Sequence, residues 1–309
     1  MVEGNQNAHC LCNKKIVDEK EKLIRELWPY ADTTNADNRN FESENLAHWD
    51  LDASVVEQVK PFNDDDRSTS GIIVKLKDCD TFIVSFRGSE ETKDWIYNAE
   101  ILKINWNPKV KSSFIVNLWN SIFHRTKARV HTGFLYDYVA VRKQVKSILD
   151  GFHFNPKQSL IYTTGHSLGG VLGAMAALDF CQNYKYQNVV VCTYGSPRPG
   201  NKEFAELYNF KVPNSFRIVN NKDIFCRLPP KEPPLNYCSY AKKWYLDDLL
   251  NKPDPSYDPD VIGKNIAEIA EDLLQYIEDA VKEYDLSQYL KDHLRDSYRE
   301  KILQLPSCT

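Results

Sequence analysis

The 309-residue chain contains no run of eighteen or more apolar residues, so no membrane-spanning helix is expected. Its opening, MVEGNQNAHCLCNKK, has no apolar stretch of the kind a signal peptide needs. No N-x-S/T sequon occurs, and none of the eight cysteines forms a C-x-x-C pair. These absences argue against a zinc site of the usual spacing and lead to an expected reducing, cytoplasmic location, peripheral to membranes at most. Cys181 and Cys192 are then expected as free core thiols, with Cys10 and Cys12 in an inert tail or acylated. A net charge of -4 argues against a general nucleic-acid binder. No repeat and no linker divides the sequence, which reads as one domain over 1–309, with 1–15 a flexible tail.

What is present is the composition of a soluble globular protein, 42% hydrophobic and 27% charged, enough for a sizeable core. Residues 16–29 have helical spacing and a proline stop. Residues 30–60 are polar and weakly patterned, and FNDDDRSTSG (62–71) reads as a solvated loop rather than a calcium site. GIIVKLKDCDTFIVSFRGS (71–89) reads as a hairpin, and 134–150 as a helix. SLIYTT (159–164), NVVVCTY (188–194) and SFRIVN (215–220) read as buried strands, with a helix between the first two. Beyond 260, Ile266, Ile269, Leu273, Ile277 and Val281 fall on one face of a long amphipathic helix. Alternating strands and helices make the fold class α/β, with a central, mostly parallel sheet flanked by helices.

The sequence Gly165-His166-Ser167-Leu168-Gly169 follows a strand and precedes a helix. A serine on such a tight turn needs tiny neighbours, and its hydroxyl emerges at the positive end of a helix. A hydroxyl is a poor nucleophile without a base. In this kind of site the order along the chain is serine, acid, histidine, and of seven histidines only His293 follows Ser167. Asp223, just beyond a strand, is the preferred acid, with Asp247 and Asp248 in reserve. Leu168, following the nucleophile, offers one amide to an oxyanion, and Ser89 in FRGS (86–89) offers a second.

FRGSEETKDW (86–95), VHTGFLYDY (130–138), GHSLGG (165–170), YGSPRPGN (194–201), RIVNNKDIFCRLPP (217–230) and DHLRDSY (292–298) together resemble the successive signatures of the class 3 lipases. The resemblance spans about 70–300. It implies an α/β-hydrolase fold, Ser167, Asp223 and His293 as triad, Ser89 and Leu168 as oxyanion hole, a lid beginning near 90–100, and no metal or organic cofactor. Two departures stand out: the segment from Trp95 to His131 is long, and the histidine-to-tyrosine spacing in HLRDSY is stretched.

From Ile101 to Tyr136 there are six Lys or Arg and no acid, whereas 247–285 holds twelve acids and three lysines. Residues 90–129 therefore read as a lid and basic aromatic insertion, with Trp95, Trp106, Phe114, Leu118, Trp119 and Phe123 as lid or lipid-binding residues. Such a segment can rest on an anionic membrane surface or pack on the core. The expected activity is serine-dependent hydrolysis of a lipid carboxylic ester, acylglycerol or phospholipid. The alternatives are a soluble feruloyl-type esterase and a catalytically silent lipid-binding scaffold.

Overall fold

The computed structural model describes residues 10–34, 40–88, 102–108, 127–221, 223–231, 233, 235–250 and 291–307. A seven-stranded sheet runs in the order β1-β2-β3-β6-β7-β8-β9. Its strands are β1 (Val56–Asp64), β2 (Thr69–Leu76), β3 (Thr81–Phe86), β6 (Leu160–His166), β7 (Asn188–Tyr194), β8 (Ser215–Val219) and β9 (Lys242–Tyr245). The short strands β4 (Lys103–Asn105) and β5 (Arg129–His131) pair separately. β2 pairs antiparallel with both β1 and β3, and β3, β6, β7, β8 and β9 are parallel. The hairpin expected over 71–89 is β2 and β3.

Parallel strands buried on both faces read as continuous β-branched and apolar runs, and β6 is buried along its whole length. Alternate residues then serve opposite layers. Phe82, Val84, Ile161 and Val191 face α2 (Thr132–Gly151) and α3 (Leu168–Asp179), whereas Ile83, Tyr162, Val190 and Cys192 face α1 (Lys20–Thr34). That second layer also holds Tyr298 and Ile302 of α5 (Arg295–Ile302), while α4 (Lys202–Lys211) lies on the first through Phe204 and Tyr208. Among the described residues no helix is long and apolar enough to cross a membrane.

Four expectations are corrected. Pro29 does not stop the first helix, which continues to Thr34 because Tyr30, Ala31, Thr33 and Thr34 are buried and Thr33 Oγ1 donates to the Trp49 carbonyl. β1 occupies 56–64, missed because Pro61 and the polar residues between Val56, Val59 and Phe62 hide its pattern; it is an edge strand, where proline is tolerated. The end of the proposed tail is ordered: Leu11 is fully buried and Tyr162 donates to its carbonyl at 2.9 Å. Cys12 is joined to Cys79 in the β2–β3 turn by a disulfide, and Cys10 is also disulfide-bonded, so the cysteines lend no support to a reducing compartment. The amphipathic helix expected beyond 260 lies outside the described residues.

Candidate active site

β6 ends at His166 and α3 begins at Leu168, leaving Ser167 as the single residue that turns the chain. It has φ 57° and ψ -126°, a backbone region that a residue with a Cβ enters only under constraint. The constraint comes from the helix start and from the two strands beside β6. The Ser167 N–H donates to the Tyr194 carbonyl at 2.9 Å, and its own carbonyl accepts from Gly170 N–H at 3.0 Å. A Cβ on Gly169 would lie 2.2 Å from the Phe86 carbonyl oxygen, so only glycine lets the helix start press on the end of β3. Leu168 is the first helical residue, and its N–H has no acceptor within the helix.

Ser167 Oγ lies 2.9 Å from His293 Nε2, and His293 Nδ1 lies 2.9 and 3.0 Å from the two carboxylate oxygens of Asp223. All three side chains are buried. With Nδ1 against a carboxylate, the imidazole carries its proton there and turns the Nε2 lone pair to the serine. Phe225 stacks on the His293 ring at 4.0 Å. Gly195, at φ 62°, lets the chain pass beside this pair: a Cβ there would lie 3.1 Å from Asp223 Oδ2 and 3.2 Å from His293 Cε1.

Asp223 is held from several sides. Oδ1 accepts from the Phe225 N–H at 2.9 Å and Oδ2 from the Tyr298 hydroxyl at 2.7 Å, with the Cys226 thiol at 3.4 Å. Burial alone would raise the carboxyl pKa. The charge and hydrogen bond of His293, together with the Tyr298 hydroxyl, more than reverse this, and the group sits below its usual value. Tyr298 in turn accepts from the Asn220 N–H at 2.9 Å, which aims its own proton at the carboxylate. The sequence displayed this tyrosine in DHLRDSY without revealing its role, which α5 provides by carrying its hydroxyl to the acid. Asp247 is engaged elsewhere, accepting from Lys301 at 2.7 Å.

His166 meets Trp28 and Tyr298 edge-on, at 6.2 and 5.2 Å. Its ring lies 4.9 Å from that of His293, and burial, reinforced by that neighbour, holds its pKa down to about 3. His131, the N-cap of α2, is likewise neutral: burial and then Lys103 bring it to about 3.

The remaining site expectations divide. Ser89, Trp95, Phe114, Leu118, Trp119 and Phe123 lie outside the described residues. Trp106 is described, and as a lid residue it is corrected: it is 5% exposed, packs edge-on against Phe204 at 5.5 Å and donates to Gln182 Oε1 at 3.1 Å. Its indole has a core partner for both its ring and its N–H. Of the basic residues nearby, Lys103 is turned inwards onto the Leu235 carbonyl and the Tyr237 ring, and Lys127 is exposed.

The arrangement can take a proton from Ser167 as its oxygen attacks, hold that proton on His293, and stabilise the resulting imidazolium with Asp223.

Comparison with known proteins bears on which reaction this serves. Residues 83–232 match the class 3 lipase family. A lipase of Rhizomucor miehei is 30% identical over 169 residues, covering 52% of this chain and 41% of that protein. A chloroplastic phospholipase A(1) of Arabidopsis thaliana is 28% identical over 162 residues, covering 48% of this chain and 33% of that one. The chain thus spans less than half the length of these curated relatives. In fold, the Rhizomucor miehei lipase–propeptide complex superimposes with a TM-score of 0.59 at 23% identity, covering 74% of this chain and 68% of that one. The fold is that of an α/β-hydrolase.

Proposed function

We propose that the chain, whose residues 83–232 match the class 3 lipase family, hydrolyses carboxylic esters of lipids through an acyl-enzyme on Ser167. The observation that carries this reading is the unbroken path from Ser167 Oγ through His293 to Asp223, with each step at 2.9 Å. Ser167 Oγ bonds to the ester carbonyl carbon and gives its proton to His293 Nε2. The oxyanion forms against the Leu168 N–H and, in this proposal, Ser89. Collapse expels the alcohol, which leaves with the proton from His293. Water then attacks the acyl carbon, His293 accepts its proton and returns it to Ser167, and the free acid departs.

Two named relatives, a lipase and a phospholipase A(1), leave acylglycerol and phospholipid both open as substrates. The acid-free stretch from Ile101 to Tyr136 favours an anionic lipid surface, where the exposed Lys127 would contribute. The disulfides at Cys12 and Cys10 favour an oxidising compartment for this activity.

The test is turnover of short- and long-chain p-nitrophenyl esters and of phosphatidylglycerol vesicles by wild type and Ser167→Ala. Replacement of the nucleophile is expected to lower kcat by about 10⁶-fold on every accepted substrate. Folded protein with no serine-dependent turnover on any of them would overturn the reading in favour of a lipid-binding scaffold.

A further inference from the structure

Among the described residues, His293 is steadied on both sides in sequence, at Asp292 before it and by α5 after it. The Asp292 carbonyl accepts from Asn220 Nδ2 at 2.8 Å, and α5 begins two residues beyond the histidine. α5 rests on α1, although the two helices stand far apart in sequence. Arg295 Nε lies 3.1 Å from Asp32 Oδ1, and Arg299 Nε donates to Asp32 Oδ2 at 2.9 Å. Tyr298, lying between these arginines, has its ring stacked with Trp28 at 6.1 Å and an interplanar angle of 16°. Trp28 also meets His166 edge-on at 6.2 Å and Tyr194 at 4.9 Å.

Trp28 and Asp32 are four residues apart on α1 and so share one helical face. That face supplies an indole to Tyr298 and a single carboxylate to both arginines flanking it. Trp28 is 2% exposed and the Asp32 side chain 14%, so neither is a surface ornament. Both lie outside residues 83–232, the stretch that carries the family match.

We propose that Trp28 and Asp32 are positioning residues: α1 sets the angle at which α5 presents Tyr298 to Asp223 and, through that carboxylate, His293 to Ser167. The inference rests on the ester-hydrolase reading of Ser167. Its physical content is that a hydrogen bond of 2.7 Å between Tyr298 and Asp223 does not survive a shift of α5 by an ångström, and misplacement of that size away from the chemistry costs up to about 10²-fold in rate.

Asp32→Asn and Trp28→Leu are compared with Asp247→Asn, which releases the same helix from Lys301 but faces away from the triad. Four quantities are read: the thermal midpoint, kcat and KM on p-nitrophenyl butyrate, the rate at which a fluorophosphonate labels Ser167, and the far-downfield proton resonance of His293 Nδ1–H held against Asp223. Asp32→Asn and Trp28→Leu are expected to lose about tenfold in kcat and in labelling rate, with KM within about twofold and the resonance shifted or broadened. Asp32→Glu is expected to recover most of kcat. Asp247→Asn is expected to lower the midpoint while leaving kcat and the resonance as in wild type.

Wild-type kcat and an unmoved resonance in Asp32→Asn would overturn the proposal, as would an equal kinetic loss in Asp247→Asn. If wild type itself shows no Ser167-dependent turnover, the hydrolase reading fails, and the resonance alone decides the positioning role: a shift in Asp32→Asn supports it and an unmoved signal sinks it.

Discussion

Ser167 and His293 meet at 2.9 Å, yet they are put in place by opposite means. The serine is fixed chiefly by the elements adjoining it in sequence: a strand ending one residue before it, a helix starting one residue after it, and a glycine where that helix meets the end of β3. The histidine depends on distant chain, through Asn220, Phe225 and the α5–α1 contact. A locally built element keeps its geometry as long as its own strand and helix persist. One assembled from remote pieces is as precise as the packing among them, and it is lost first when that packing loosens.

The strongest way to break the remote side is Tyr298→Phe, which keeps the ring on Trp28 and removes the hydroxyl from Asp223. Loss of a hydrogen bond to a charged group, about 1.5–3 kcal/mol, is expected to lower kcat roughly 10–100-fold. It also removes one of the influences that depress the Asp223 pKa. A carboxylate with a depressed folded pKa stabilises the protein above its unfolded value, and that contribution disappears as pH falls through the folded one. In the variant this loss is expected at higher pH, measurable by denaturant titration across the acid range.

The local side is broken by Gly169→Ala, whose methyl meets the Phe86 carbonyl. An expected cost of about 1–3 kcal/mol in unfolding free energy should be joined by slower fluorophosphonate labelling, because the turn that holds Ser167 must shift. If labelling is unchanged, the elbow is less dependent on its glycines than its geometry indicates.

The smallest effect concerns the two neutral histidines. His131 and His166 have folded values of about 3 against an ordinary 6.5, so the unfolded chain binds more protons between those limits. Stability is therefore expected to fall as pH drops from about 6.5 towards 3. His131→Gln should flatten part of that limb without altering the pH dependence of kcat, a separation that His166→Gln, beside His293, is not expected to show as cleanly.

The same contrast explains how much could be read from sequence. The elbow was legible because the residues that turn the chain lie within GHSLGG and the strand before it, although Tyr194 and Phe86 brace it from neighbouring strands. His293 was legible by elimination, being the one histidine after the serine, and Asp223 by its place beyond β8. β1 was hidden because its register is set by β2, which sequence alone does not reveal to a strand containing Pro61. Tyr298, Trp28 and the bond between Cys12 and Cys79 act across long separations, where no spacing rule connects the partners. Trp106 misled for the converse reason: an indole in a basic, aromatic stretch looks interfacial until Gln182 and Phe204 are seen to enclose it.

The separation of 126 residues between Ser167 and His293 also orders events in time. Synthesis runs from the N-terminus, so the ribosome delivers the nucleophile, its turn and the acid well before the base. A nascent chain that already carries the elbow still lacks the base of the proposed reaction. In the proposed reaction, the base takes its place only when the segment bearing His293 packs on α1, a helix synthesised earlier.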